Sequence, residues 1–266
     1  MSGDPIRVFV GCAANGEDAE SMAVLEWSIR KHTVRPVEIT WMMQTQDSAS
    51  IWGGWNTERW ATPFSGFRWA VPAAAGFTGR AIYCDSDVWF QADLAELLDQ
   101  PFPAGAVVLA KPRSWRLCVC LWDCAAAEPH LWPLERLKSD PGQHHAMGLR
   151  FRGPNPLVGA FAGNWNCLDG EDYPNLDDPA IKALHYTDMR SQPQLRHALP
   201  RLAAAGQGHW FDGTTVEHRR PDVVERFDKL LEEAIAHGYA PENYVPNQPF
   251  GAYRKASLVK YRGARP

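Results

Sequence analysis

No stretch of this 266-residue chain approaches the roughly 18 to 20 consecutive apolar residues that a bilayer-spanning helix needs. The opening, MSGDPIRVFVGC, has no basic segment followed by an apolar run, so no secretory leader is expected and the expected location is cytoplasmic. Cysteine is sparse: six residues, Cys12, Cys84, Cys118, Cys120, Cys124 and Cys167, with no C-x-x-C pair among them. That argues against a zinc ribbon and a disulfide framework, and it fits buried thiols in a reducing compartment. There is no basic excess either, with 27 Lys and Arg against 31 Asp and Glu for a formal charge of −4. A protein that grips nucleic acid by neutralising phosphates is thereby disfavoured. Internal repeats and low-complexity tracts are absent from the sequence, and 45% hydrophobic content excludes a disordered chain.

What is present points to one α/β domain with a short appendage. Ile6 to Val10 reads as a buried first strand followed by a tight loop, GCAANG, and Asp18 to His32 carries Met22, Leu25 and Ile29 at helical spacing. Val37 to Met43 predicts a second strand, and Gln44 to Thr62 a polar, Trp-rich loop. A helix holding Phe64, Phe67, Arg68 and Val71 follows and stops near Gly76. Arg80 to Cys84 predicts a strand, and Asp93 with Glu96 a capping box. Further strands are expected at Ala106 to Ala110, Leu117 to Trp122 and Ile181 to Tyr186, with a helix at Pro129 to Lys138. Residues 139–179 read as a long functional loop region with short strands. A last helix is expected from Pro221 to His237, before a basic tail with Arg254, Lys255, Lys260, Arg262 and Arg265 that could touch an anionic membrane surface. Strand and helix alternation implies a mostly parallel sheet flanked by helices, divided as a main domain, 1–220, and a C-terminal helix with tail, 221–266.

The chemistry concentrates at Asp85-Ser86-Asp87. Two carboxylates two residues apart at the end of an apolar strand share one face, and that end of the strands is where open α/β sheets bind ligands. Such hard oxygen donors suit Mg²⁺ or Mn²⁺ holding a diphosphate. His185, ending the strand at 181–186, supplies a third donor whose nitrogen tilts the preference toward Mn²⁺. The alternative for His185 alone is a buried, hydrogen-bonded core histidine. Twelve tryptophans, several in loops (Trp52, Trp55, Trp60, Trp115, Trp165, Trp210), offer flat faces for sugars or, more simply, core and lid packing. His144-His145 reads as solvated loop. The acidic run Asp169, Glu171, Asp172, Asp177 and Asp178 reads as a solvated loop with acceptor recognition as the alternative.

The blocks IRVFVG, SIRKHTVRPVEI, FSGFRWAVP, AIYCDSDVWFQADLAELL, VCLWDCA, NWNCLDGED and ALHYTDM, in that order over residues 6 to about 195, resemble family 8 glycosyltransferases and their bacterial relatives. The resemblance implies a GT-A fold and transfer of a hexosyl unit, with retention, from a UDP-linked nucleotide sugar to a glycan, lipid-linked or other hydroxyl acceptor. It implies Asp85, Asp87 and His185 as ligands of Mn²⁺ (or Mg²⁺), and Arg68, Asp123 and Gln143 (or Asp140 in its place) at the reacting sugar. It implies Gly11, Cys12, Ala13, Ala14, Asn15 and Ser86 around the donor, and Trp165 and Asn166 on the acceptor side. One departure concerns the family's lysine that reaches the diphosphate: this chain has Gln192, so either Arg190 stands in or the diphosphate is bound more weakly. No carboxylate stands out as a nucleophile, which favours a front-face route in which the leaving phosphate takes the acceptor's proton.

Two other functions compete. A haloacid-dehalogenase-like, Mg²⁺-dependent phosphatase also places D-x-D at a strand end, but its first Asp lies near the domain start, unlike Asp85. A non-catalytic nucleotide-sugar-binding protein is motivated by Gln192.

Overall fold

The computed structural model describes residues 4–112, 117–152 and 154–253. In chain order the elements are β1 (Ile6–Gly11), α1 (Ala19–His32), β2 (Val37–Met42), α2 (Val71–Ala74), β3 (Arg80–Asp85), β4 (Val88–Phe90), α3 (Leu94–Leu98), β5 (Val108–Ala110), β6 (Val119–Asp123), α4 (Cys124–Ala127), α5 (Leu134–Ser139), α6 (Gln143–Arg150), β7 (Val158–Ala160), β8 (Cys167–Leu168), β9 (Ala183–His185), α7 (Leu195–Ala204) and α8 (Pro221–Ala236). A six-stranded sheet runs β2-β1-β3-β6-β5-β7, and a small sheet runs β4-β9-β8. In the large sheet β2–β1, β1–β3 and β5–β7 are parallel, while β6 runs antiparallel to both its neighbours. The result is the mixed α/β domain with a mostly parallel, helix-flanked sheet that the sequence predicts.

The strands of this sheet bury both faces, as near-continuous apolar runs do when helices cover them. One core holds Ile6, Val8, Val10, Ile82 and Cys84 against Leu25, Ile29 and Leu97. The opposite face packs Tyr83, Trp122 and Trp69 on Phe151, Met147 and the aromatic set Trp55, Trp60 and Phe67. Those loop tryptophans therefore serve packing, as does Trp165, 1% exposed against Phe90. Trp115 lies outside the described residues, as does the basic tail from Arg254 onward with its expected membrane contact.

Helix α8 is no loose appendage. Val223, Phe227, Leu230, Leu231 and Ala234 form one core with Met22 and Ala23 of α1 and with Leu184 and Tyr186. Lys31 and the Trp27 indole both bond Glu233.

Several boundaries differ from expectation for local reasons. The helix expected at Pro129 to Lys138 splits into a 3-10 turn, Glu128–His130, and α5, because Pro133 lacks an N–H and forces Trp132 toward extended backbone. Helix α6 forms inside the expected loop region; only Gln143 and Met147, one turn apart, are buried on it, which leaves little pattern to read. Pro200 inside α7 hid that helix in the same way. At α3, Asp93 caps by accepting from Ala95 N, but Glu96 pairs with Lys182 at 3.0 Å.

Candidate functional site

The parallel pairs β1–β2 and β1–β3 bring the C-terminal ends of three strands together, with Gly11 in register with Met42 on one side and Asp85 on the other. After Asp85 the chain turns through Ser86 and Asp87 into β4, where Val88 pairs with His185 of β9. That register sets Asp87 against His185, with Nε2 of the imidazole 3.1 Å from Oδ1 of the carboxylate. A hundred residues of sequence separation is thus closed by a three-residue strand.

Each of the three residues is held from behind by a different element. Asp85, 7% exposed, takes both Nη2 bonds of Arg68 at 3.0 and 3.3 Å and the hydroxyl of Tyr83. The remaining Arg68 N–H groups go to Ser65 O (2.9 Å), Leu117 O (2.9 Å) and Cys118 Sγ (3.5 Å). A guanidinium has five N–H groups, so in this arrangement Arg68 has none left for a donor sugar. In this structure it holds Asp85, where the resemblance implies a contact with the donor. His185, 1% exposed, has Nδ1 2.9 Å from Asn166 Oδ1, which places a proton on Nδ1 and turns Nε2 toward Asp87. Burial alone would depress the imidazole's pKa, but the Asp87 carboxylate outweighs it and the net shift is upward. Asp87 accepts from Gln192 Nε2 at 2.6 Å through Oδ2, while its Oδ1 is buried without an aligned hydrogen-bond donor.

Asp87 Oδ1, which faces Nε2 of His185, and the carboxylate of Asp85 are hard oxygen donors beside an imidazole, a donor set of the type that suits Mg²⁺ or Mn²⁺. Cys118 Sγ also lies in a buried group with Asp85 and His185 whose ligand atoms are within 4.8 Å of one another. Burial, then Asp85, pushes that thiol's pKa well up, and a soft sulfur matches a hard cation less well than oxygen does. Asp85 and His185 belong to that group, and Asp87 adjoins it through its 3.1 Å contact with His185.

The loop after β1 is covered. Gly11, Cys12, Ala13 and Ala14 are buried, and Ala13 packs with Met189 and Trp210 beneath Phe211 and Tyr253. Ala14 N donates to Tyr253 Oη at 2.6 Å, Asn15 N to Glu17 (2.9 Å), and Asn15 exchanges two bonds with Gly251. Gly11 is required by close approach: a Cβ there would fall 2.8 Å from Tyr83 Oη and 2.9 Å from Phe64. Ser86 is pinned by its N–H to Gly11 O (3.1 Å) and its hydroxyl to Asp18.

Asp18 is a site residue the sequence did not reveal. It begins α1, yet its side chain makes no capping bond. Instead Oδ2 accepts from Ala13 N (2.7 Å) and Ser86 Oγ (3.2 Å), and Oδ1 from Trp210 Nε1 (3.3 Å). One carboxylate so ties the first loop, the D-S-D turn and the covering loop together. Burial raises its pKa from 3.8 to about 7.

Asp123 falls at the other edge of the sheet. Asp123 is in register with Arg80, five residues back along β3 from Asp85, or about 16 Å at strand rise. Because β6 is antiparallel, its start lies beside Asp85 and its end at the far edge, where Asp123 caps α4 through Ala126 N. Gln143 is fully buried with both amide atoms unpartnered, packed where a Gly66 Cβ would fall 2.4 Å from Nε2. Asp140 accepts from Gly142 N at its own turn. Arg190 lies on the surface, bonded to Asp188 at 3.1 and 3.2 Å. Trp165 and Asn166 lie in the interior, so neither lines an open acceptor cleft. Of the acidic run, Asp169 is buried against His218 (3.0 Å) and Thr187 and Glu171 binds Lys111, whereas Asp172 and Asp177 are exposed. His144 accepts from Trp69 Nε1 on α6, where burial takes its pKa down to about 3, and His145 is exposed.

No family model matches the chain. Protein CDI of Arabidopsis thaliana is 26% identical over 209 residues, covering 69% of this chain and 78% of that protein. Among solved structures, the bifunctional glycosyltransferase WbbM matches with a TM-score of 0.57 at 14% identity over 87% of this chain, which spans only 51% of WbbM. The glycosyltransferase GlyE of Streptococcus pneumoniae TIGR4 matches with a TM-score of 0.54 at 14% identity, covering 94% of this chain and 67% of GlyE. The fold is that of GT-A glycosyltransferases. Among the described residues no helix is long and apolar enough to cross a membrane.

Proposed function

We propose that the chain is a glycosyltransferase of the family 8 type, moving a hexosyl unit with retention from a UDP-sugar to a hydroxyl of a glycan or other acceptor, with Mn²⁺ or Mg²⁺. The observation that carries the reading is the Val88–His185 register, which sets Asp87 against His185 beside Asp85 at the ligand-binding end of the sheet. Asp85, Asp87 and His185 would hold the cation, which when bound offsets charge growing on the leaving nucleoside diphosphate. Arg68 and Tyr83 fix Asp85, and Asn166 fixes His185. Gly11 to Asn15 and Ser86 shape the nucleoside end, under Trp210, Phe211 and Tyr253, whose rings exclude water. Asp123 has no part in it. With no carboxylate marked by the sequence as a nucleophile, the route is front-face: a donor phosphate oxygen accepts the acceptor's proton as the new glycosidic bond forms and the bond to the leaving nucleoside diphosphate breaks.

A second reading, a nucleotide-sugar binder without turnover, is favoured by one observation: Gln192 bonds Asp87, where the resemblance expects a cation facing phosphate. The phosphatase reading loses its nucleophile, since Asp85 is committed to Arg68 and Tyr83. The discriminating experiment is a thermal-shift screen against UDP, GDP, CMP and dTDP and their sugars, each with and without Mn²⁺, followed by product analysis. Mn²⁺-dependent stabilisation by uridine compounds together with slow UDP-sugar hydrolysis is expected. Binding without hydrolysis of any sugar supports the binder, and no shift with any nucleotide refutes both.

A further inference from the structure

Gln192 stands where the resemblance expects the phosphate-reaching lysine, and the structure gives its amide a different occupation. It is 6% exposed. Its Nε2 donates to Asp87 Oδ2 at 2.6 Å and to the carbonyl of Tyr186 at 3.0 Å, while its Oε1 accepts from Gln194 Nε2 at 2.8 Å. Both N–H groups and the oxygen are therefore used, and the amide can sit only one way. Turned over, its oxygen would face the Asp87 carboxylate and the Tyr186 carbonyl, and its NH₂ would face that of Gln194. Gln194, 2% exposed, stands behind it as the element that fixes this orientation. The main chain closes the same loop, since Tyr186 N donates to Asp87 O at 3.1 Å.

Asp87 is the most open of the three residues assigned to the cation, with 17% of its side chain exposed against 10% for Asp85 and 2% for His185. A carboxylate at the open edge of a site is the one most in need of an orienting partner. Holding Oδ2 on Gln192 turns Oδ1 toward His185 Nε2, which is the direction a shared cation requires.

Resting on the cation site proposed above, we infer that Gln192, set by Gln194, is a positioning residue for Asp87 and not a phosphate contact. The chain has exchanged a charge that would help bind the diphosphate for an amide that fixes a metal ligand. Outer partners of this kind typically change metal affinity by about 10- to 100-fold.

The test is Mn²⁺ titration of the full chain without nucleotide, followed calorimetrically and by the electron paramagnetic resonance signal of free Mn²⁺, with thermal melts as the folding control. Gln192→Met keeps volume but removes all three bonds, and about a 10- to 100-fold weaker Mn²⁺ affinity at an unchanged fold is expected. Gln194→Met, which frees the amide while leaving its bonds to Asp87 and Tyr186 possible, should weaken Mn²⁺ binding less and in the same direction. Gln192→Lys separates the two roles. An ammonium on Asp87 competes with the cation and lowers Mn²⁺ affinity, whereas a phosphate-facing position would raise UDP affinity in EDTA and leave Mn²⁺ binding alone. Unchanged Mn²⁺ affinity in Gln192→Met, or in Gln194→Met and Gln192→Lys if the first does not fold, overturns the inference while the cation site stands. Failure of the unaltered chain to bind Mn²⁺ overturns both.

Discussion

The carboxyl of Asp18 has a calculable effect on stability. In the unfolded chain it gives up its proton near 3.8; in the fold, burial holds the proton until about 7. Between those values the folded state carries one proton more than the unfolded state, so stability falls as pH rises through this window and levels off above it. Expressed as free energy the displacement is about 4 kcal/mol, a sizeable part of the roughly 5 to 15 kcal/mol that holds a typical domain. Asp18→Asn removes the titration. Its amide oxygen can keep the bonds from Ala13 N and Ser86 Oγ, but its NH₂ faces the Trp210 N–H and forfeits that bond, a cost of about 1 to 3 kcal/mol.

The measurement is urea unfolding of both proteins at pH 4.5 and pH 8 in EDTA, so that no cation alters the neighbouring carboxylates. Effects of all other groups cancel in the double difference. The unaltered protein should lose about 3 kcal/mol more than Asp18→Asn between the two conditions, and the variant should be the less stable at the acid end and the more stable at the alkaline end. Parallel pH profiles would refute the assignment of a buried, proton-holding carboxyl at this position.

Asp123→Ala should cost about 0.5 to 2 kcal/mol in thermal or urea unfolding through loss of the α4 cap, with Mn²⁺ and nucleotide affinity by calorimetry unaltered; a selective loss of donor binding would return Asp123 to the site. Arg68→Met strands the buried Asp85 carboxylate and should destabilise by about 3 to 5 kcal/mol, read in urea unfolding, and abolish Mn²⁺ binding in whatever fraction remains folded. Mn²⁺ affinity should weaken as pH falls, because the cation must displace a proton from His185, whose pKa lies above the usual imidazole value; a flat calorimetric titration series between pH 6 and pH 8 would remove His185 from the ligand set.

The parts of the site that lie along the chain were legible, and the parts made by crossing were not. A β-branched strand ending in D-S-D announces its own location, since strand ends are where loops and ligands gather, and the structure puts Asp85 there at the Gly11 register. His185 was legible because it too ends a strand. Asp123 looked equivalent, sitting at the end of VCLWD, and the error came from direction: a sequence shows that a strand ends, not which way it runs in the sheet. Once β6 is antiparallel to β3, the same strand-end logic sends Asp123 to the opposite edge and delivers Cys118 to Asp85 instead.

Side chains whose roles depend on a partner far away in sequence were invisible for a related reason. Asp18 reads as a helix start, because Asp commonly caps, and only the fold shows its carboxylate reaching 68 residues on to Ser86 and 192 residues on to Trp210. Asn166 reads as a cleft residue until β8 lies beside β9, with Cys167 opposite Leu184 and Leu168 opposite His185, and its amide meets the imidazole. Gln192 is the sharpest instance. As a neutral residue in place of lysine it registers in the sequence only as a loss of charge, yet in the fold it is the one side chain that spans from Asp87 to Gln194. The three residues expected to hold the cation were marked by type and position; what orients each of them was written in residues whose types carry no such signal, since an amide, a guanidinium or a phenol can serve equally well on a surface.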